Sequence, residues 1–183
     1  FMISESGIAN DLYKMFHVLF GGVKGGLAIG TMFMMVAISA MNGLSVAGMA
    51  IGATIALPEM LRRNYDKRMI TGVVQAGSSL GILIPPSVVM VLYGMIARQP
   101  VSKLWMAGIL PGLLMAFLFL IYIYVRCKLQ PELGPPLKKE ERSVSTLEKI
   151  RLLKAGIIPF LIFFFMTGLF LMGIASLVEC SAV

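Results

Sequence analysis

Two adjacent prolines, Pro85 and Pro86, lie inside an uncharged segment that runs from Met69 to Ala97. That segment is long enough to cross a lipid bilayer, because about 20 apolar residues are sufficient. Proline has no backbone N–H, so the carbonyls of Gly81 and Ile82 lose the donors that a continuous helix would supply. Unpaired carbonyls are costly in hydrocarbon, so such a backbone must face protein or a water-filled cavity. The pattern predicts a membrane-spanning helix that is broken at its centre.

A plainer interpretation of the same residues is a proline kink in a structural span. In that case the hydroxyls of Ser78, Ser79 and Ser87 bond back to their own helix. The paired prolines, with glycine and serine on both sides, favour the break over the kink. Interrupted helices at this depth are also where transporters hold ions and anionic substrates.

The composition is that of a membrane protein. The chain has 183 residues, of which 58% are hydrophobic and 14% are charged, and the charges separate long uncharged blocks. The net charge of +7 fits cytoplasmic loops beside anionic lipid head groups and does not require nucleic acid as a partner. The chain opens at Phe1 and ends at Val183 within apolar sequence, so we expect it to be part of a longer polypeptide.

A second informative segment covers 27–61 and has Asn42-Gly43-Leu44-Ser45 at its centre. It is too short for two crossings, which need about 40 residues plus a turn. Small and polar residues at the centre permit a tight turn, so we predict a re-entrant hairpin. A single long helix would place its basic flanks on opposite sides of the membrane, which the positive-inside rule disfavours.

The rest of the chain is assigned from its apolar blocks and basic connections. The basic connections 59–68 and 126–154 are separated by two crossings, so they share a face, which we predict to be cytoplasmic. His17, the only histidine, fits the head-group region better than a proton relay. The predicted segments are the end of a span with an interfacial connector helix at 1–26, a discontinuous transmembrane helix at 68–97, a transmembrane helix at 104–126, a cytoplasmic arm at 127–150 and a further transmembrane helix at 151–177.

The predicted break and hairpin turn together form a candidate binding site. Carbonyl and serine oxygens are the ligands that a hard alkali cation prefers, while the half-helix that begins at the prolines has a positive end suited to a carboxylate. We predict no enzyme activity, because no base accompanies the serines. The residues predicted to bind Na⁺ are Ser45, Gly77, Ser79, Gly81 and Ile84. Those predicted to bind substrate are Asn42, Gly43, Pro85, Pro86 and Ser87.

Six short motifs, in order along nearly the whole chain, resemble the large membrane subunit of tripartite ATP-independent periplasmic (TRAP) transporters. The motifs are Gly25-Gly26-Leu27-Ala28, Asn42-Gly43-Leu44-Ser45-Val46-Ala47, Ile55-Ala56-Leu57-Pro58-Glu59-Met60, Arg63-Asn64-Tyr65-Asp66-Lys67, Gly81-Ile82-Leu83-Ile84-Pro85-Pro86-Ser87 and Ala107-Gly108-Ile109-Leu110-Pro111-Gly112.

This resemblance implies an all-α integral membrane protein with an elevator-type fold of inverted repeats, each holding a re-entrant hairpin and a broken helix. The chain would then cover the first repeat, with 151–177 as a scaffold span and 178–183 as the start of the second repeat. It also implies multi-pass insertion in a bacterial or archaeal cytoplasmic (inner) membrane. Membrane lipid would surround the chain.

The activity implied by the resemblance is secondary transport of organic acids, coupled to Na⁺. A periplasmic solute-binding protein would deliver the substrate, and a small TRAP membrane subunit would pack beside the large one. The alternative function is a non-transporting membrane scaffold or assembly subunit, in which the helix breaks serve packing alone.

Overall fold

The computed structural model describes residues 13–16, 19–20, 22–135, 161, 164–165, 167–170 and 172. Its regular structure over these residues is helical. Within 22–135 the helices are α1 (Gly26–Asn42), α2 (Ser45–Arg62), α3 (Lys67–Ser79), α4 (Val88–Ala97) and α5 (Val101–Leu129). Single 3-10 turns follow α3, at Leu80–Ile82, and α5, at Pro131–Leu133.

Helices α1 and α2 form a hairpin over the segment predicted as 27–61. The chain reverses at Gly43 and Leu44, and Gly43 has a φ of +63°, a left-handed conformation that glycine adopts without strain. Its N–H donates to the Ser39 carbonyl at 2.9 Å and so closes α1. The single long helix is therefore wrong. Each arm is about 26 Å long at a rise of about 1.5 Å per residue, and its depth in a membrane stays a prediction.

The interruption that the two prolines predict is present. Helix α3 ends at Ser79, one 3-10 turn follows, and α4 begins only at Val88. The Leu80 carbonyl accepts two N–H groups, from Leu83 at 3.0 Å and from Ile84 at 2.8 Å. The chain then runs through a cis Pro85–Pro86 bond into α4.

Methionine side chains fill the core between the hairpin and α3. Met32, Met34 and Met35 of α1 and Met60 of α2 are all buried. The side chain of Met35 lies against Gly52 of α2 and Gly77 of α3, where neither glycine leaves room for a Cβ. Three helices therefore approach one another closely around one methionine side chain.

Helix α5 is the one helix in the described chain that is long and apolar enough to cross a membrane. It begins at Val101 and ends at Leu129, whereas the sequence predicted 104–126. It continues through Pro111, and most of its large apolar side chains are exposed. The apolar helices α1 and α4 are shorter than a full crossing.

Three connections meet at one end of the bundle. The Gly25 N–H donates to the Gly134 carbonyl at 3.1 Å, and the Asp66 N–H donates to the Leu133 carbonyl at 3.3 Å. Cys127 is buried here, in contact with both glycines. The two basic connections that were predicted to share a face are thus neighbours. The predictions for 1–12, His17, 136–160 and 173–183 lie outside the described residues.

Candidate ion and substrate site

The tip of the hairpin docks directly on the helix break. The Val88 N–H, at the start of α4, donates to the Gly43 carbonyl at 3.2 Å. A Cβ on Gly43 would lie only 2.8 Å from the Pro86 carbonyl oxygen. Glycine is therefore required by space as well as by its positive φ. The contact brings three predicted substrate residues, Gly43, Pro86 and Ser87, to one place.

A second contact joins the hairpin to the break one turn before its tip. A Cβ on Gly81 would lie 2.7 Å from the Ser39 Cβ and 2.8 Å from the Ser39 carbonyl oxygen. The Ser39 hydroxyl also faces Gly48, which leaves no space for a side chain. Ser39 is thus enclosed by α2 on one side and by the break on the other.

The hydroxyl of Ser39 is fully buried and has no hydrogen-bond partner among the described residues. Leaving a buried polar group unsatisfied costs about 1–3 kcal/mol, so this oxygen is a candidate ligand. Sequence analysis missed it. Its only signal is a hydroxyl within an apolar helix, which Thr31 of the same helix shares and which is equally typical of packed helices.

The serines of the broken helix bond to their own backbone. Ser78 Oγ donates to the Gln75 carbonyl at 3.0 Å, and Ser79 Oγ donates to the Ala76 carbonyl at 2.7 Å. Both bonds are those expected for the simple kink. Each uses the hydroxyl proton only, so the lone pairs of Ser79 Oγ remain available to a cation.

The start of α4 is largely capped by the chain itself. The Met90 N–H donates to Ser87 Oγ at 3.4 Å, and the Val88 N–H is used by Gly43. Among the first three N–H groups of α4, that of Val89 has no acceptor in the described part of the chain. Trp105 Nε1–H donates to the Ser87 carbonyl at 3.4 Å and holds the break against α5. Ser87 therefore acts as a helix cap in this structure.

The other predicted residues are spread around the break. Gly77 lies against Met35 in the core, which gives it a packing role, and the Ile84 side chain faces Gly112 of α5. Ser45 is the first residue of α2 and is partly buried. The side chain of Asn42 lies outside what the structure describes.

The candidate cation ligands around the break are all oxygen atoms. They are Ser39 Oγ, which is buried without a partner, Ser79 Oγ, and the carbonyls of Gly81 and Ile82, whose i+4 neighbours are prolines. Sodium prefers such an all-oxygen set. No group of three or more histidine, cysteine or acidic side chains suited to a metal occurs in the described part of the chain.

The family model for the tripartite ATP-independent periplasmic transporter DctM component matches residues 1–183. The chain belongs to this family. The relatives that it resembles are named as TRAP transporter permeases, in agreement with the helical fold and the apolar α5.

Individual relatives carry different names. The chain is 36% identical to the C4-dicarboxylate TRAP transporter large permease protein DctM of Pseudomonas aeruginosa. The match extends over 123 residues, which are 67% of this chain and 29% of that protein. It is 32% identical to the isethionate permease DctMQ of Oleidesulfovibrio alaskensis, over 67% of this chain and 19% of the relative. It is 32% identical to the ectoine permease TeaC of Halomonas elongata, over 64% and 27%. The chain thus matches less than a third of each relative's length.

Proposed function

We propose that this chain is part of the large membrane subunit of a Na⁺-coupled TRAP transporter that imports organic acids. A periplasmic solute-binding protein delivers the substrate, and a small membrane subunit packs beside the large one. The observation that carries the proposal is the docking of Gly43 on the break, with the unpartnered hydroxyl of Ser39 beside it.

The described residues support a Na⁺ site at this junction. Ser39 Oγ, Ser79 Oγ and the carbonyls of Gly81 and Ile82 would hold the ion. Bound there, Na⁺ would supply a positive charge beside the substrate carboxylate. The Val89 N–H and the dipole of α4 add to the attraction for that carboxylate.

Close packing of the hairpin on the broken helix supports movement as one body. Gly81 on Ser39, Gly77 on Met35 and Gly43 on Pro86 leave no space between the two elements, and well-packed interfaces shift as units rather than deform. An elevator motion would carry hairpin and broken helix together past the scaffold.

The test is the melting temperature of the full-length large subunit in detergent, with NaCl compared against choline chloride at equal ionic strength. We expect Na⁺ to raise the melting temperature, because a ligand at 100 times its Kd stabilises the folded state by about 2.7 kcal/mol. Ser39→Ala should remove this Na⁺ response. In choline chloride the same variant should melt no lower than the wild type, since it deletes an unsatisfied hydroxyl.

Thr71→Val is the matched control, because the Thr71 hydroxyl is exposed and bonds to Lys67 and Arg68 of its own helix. It should keep the full Na⁺ response. If the wild type melts at the same temperature in both salts, Na⁺ coupling is wrong and the scaffold function is favoured. If Na⁺ does stabilise the wild type, uptake of C4-dicarboxylate, isethionate and sialic acid into proteoliposomes with the cognate binding protein would define the substrate.

A further inference from the structure

A large groove lies between α3 and α5, lined by residues of the first part of α3 and the second half of α5. It has a volume of about 770 Å³. Along its length it is apolar, with Met69, Val73, Leu118 and Phe119 in its walls. None of the residues that line it is a candidate ligand for the ion or the substrate.

One end of this groove is cationic. Arg68, near the start of α3, and Arg126, near the end of α5, both line it and are exposed. Neither has an ion pair within the described chain. Asp66 also lines this end, but its Oδ1 accepts the N–H groups of Arg68 and Met69 and so caps α3.

The two arginines lie together because of the fold. Helix α3 begins where α5 ends, and the Asp66 N–H donates to the Leu133 carbonyl just beyond α5. From Arg68 to Ala76, and from Arg126 back to Leu118, each helix extends about 12 Å at about 1.5 Å per residue. The groove therefore has a charged entrance and an apolar stem about 12 Å deep.

We propose that this groove binds an anionic phospholipid, with the phosphate between Arg68 and Arg126 and one acyl chain along α3 and α5. Basic pockets between membrane helices at the cytoplasmic surface are suited to such head groups. An aromatic ring at the entrance adds to the match, since Tyr122 lines the groove, is 61% exposed, and tyrosine is favoured at the membrane interface.

The apolar stem offers a precise test at Gly72. This residue lines the groove, and a Cβ placed on it meets nothing within 4 Å. Gly72→Leu would fill the space intended for the acyl chain without disturbing the protein, and leucine favours helix more than glycine. The variant is therefore expected to fold.

The experiment measures the melting temperature of the full-length subunit in sodium-free detergent, titrated with dioleoylphosphatidylglycerol, dioleoylphosphatidylcholine or inorganic phosphate. We expect phosphatidylglycerol alone to raise it strongly. Arg68→Gln with Arg126→Gln should weaken apparent phosphatidylglycerol binding about 30-fold, because each arginine near an anionic lipid contributes about 1 kcal/mol and about 1.4 kcal/mol corresponds to tenfold. Gly72→Leu should reduce the response by at least about tenfold.

The matched control is Lys103→Gln with Lys128→Gln, which removes the same charge from α5 outside the groove and should change binding less than about threefold. The proposal is overturned if phosphatidylcholine or phosphate stabilises equally, or if the control weakens binding as much as the arginine pair. It is also overturned if Gly72→Leu leaves the titration unchanged, as expected where another protein segment fills the groove. Sodium coupling is not involved in any of these readouts.

Discussion

At the scale of single residues, Gly43 and Ser39 determine how the hairpin meets the break. The turn at Gly43 can be predicted from the sequence, because a small residue between Asn42 and Leu44 favours a turn. The Ser39 contact cannot, since it depends on Gly48 of the other hairpin arm and on Gly81 of the break, which meet Ser39 only through packing. Gly77 packs against Met35, and its role as an ion ligand stays a prediction.

Gly43→Ala should destabilise the protein by about 1–2 kcal/mol. A left-handed φ of +63° imposes about this strain on an L-residue, and the added Cβ would lie 2.8 Å from the Pro86 oxygen. Chemical denaturation of the full-length subunit in detergent measures the effect. Gly72→Ala, made in open space on α3, should be neutral or stabilising by up to about 1 kcal/mol. Equal losses for the two variants would contradict the docked turn.

Gly81→Ala tests the second contact at the same scale. The new Cβ would lie 2.7 Å from the Ser39 Cβ, so hairpin and break must separate at a cost of about 1–3 kcal/mol. In the double variant with Ser39→Gly, we expect only part of the loss to be recovered, because the new Cβ would still lie 2.8 Å from the Ser39 carbonyl oxygen. Strictly additive losses in this cycle would show that the Ser39 side chain does not contact position 81.

At the scale of elements, the breaks and turns were predictable because each has local chemistry. The prolines lie in the gap between the 3-10 turn and α4, and glycine closes α1. The Asp66 cap of α3 was not predicted. The bounds of α5 were less predictable. It extends beyond the apolar block at both ends and includes Val101 and Ser102 in its first turn and Cys127 near its end.

Asp66→Ala should cost about 1 kcal/mol, because Asp66 Oδ1 accepts the N–H groups of Arg68 at 2.9 Å and Met69 at 3.1 Å. Asp66→Asn keeps an accepting oxygen and should lose only a few tenths of a kcal/mol. Thermal or chemical denaturation of the two variants distinguishes a cap from a general charge effect. If both lose stability equally, the carboxylate charge rather than the cap is what matters.

At the scale of the whole molecule, the described chain divides into a packed half and an exposed half. The hairpin and α3 share a methionine core, while α4 and α5 expose large apolar side chains such as Leu92, Ile96 and Leu110. In a membrane family this surface is available to lipid or to other parts of the subunit. The sequence predicts the apolar blocks, but only the fold distinguishes their inner faces from their outer ones.

Maleimide labelling of Cys127 tests whether the three connections pack together at one end of the bundle. The second cysteine of this chain is removed by Cys180→Ser, so that Cys127 is the cysteine of this chain that reacts. Cys127 is fully buried against Gly25 and Gly134, so a water-soluble maleimide should label it far more slowly than in the denatured protein. Gly134→Val should speed labelling about tenfold or more, because its Cβ would lie 2.8 Å from the Cys127 Sγ and overpacking favours opening. Fast labelling of the parent protein would show that these connections do not pack.

The side chain of Met35 is packed between Gly52 and Gly77, and its sulfur faces Gly52 with no room for a further atom, which has a chemical consequence. Oxidation to the sulfoxide would add a polar oxygen to that sulfur. Helices α1, α2 and α3 would have to part to admit it, and the damage would reach the hairpin tip through α1. Peroxide should therefore oxidise exposed methionines such as Met95 and Met106 first. Met35 should react only when the bundle opens, and reductase repair of its sulfoxide would require the same opening.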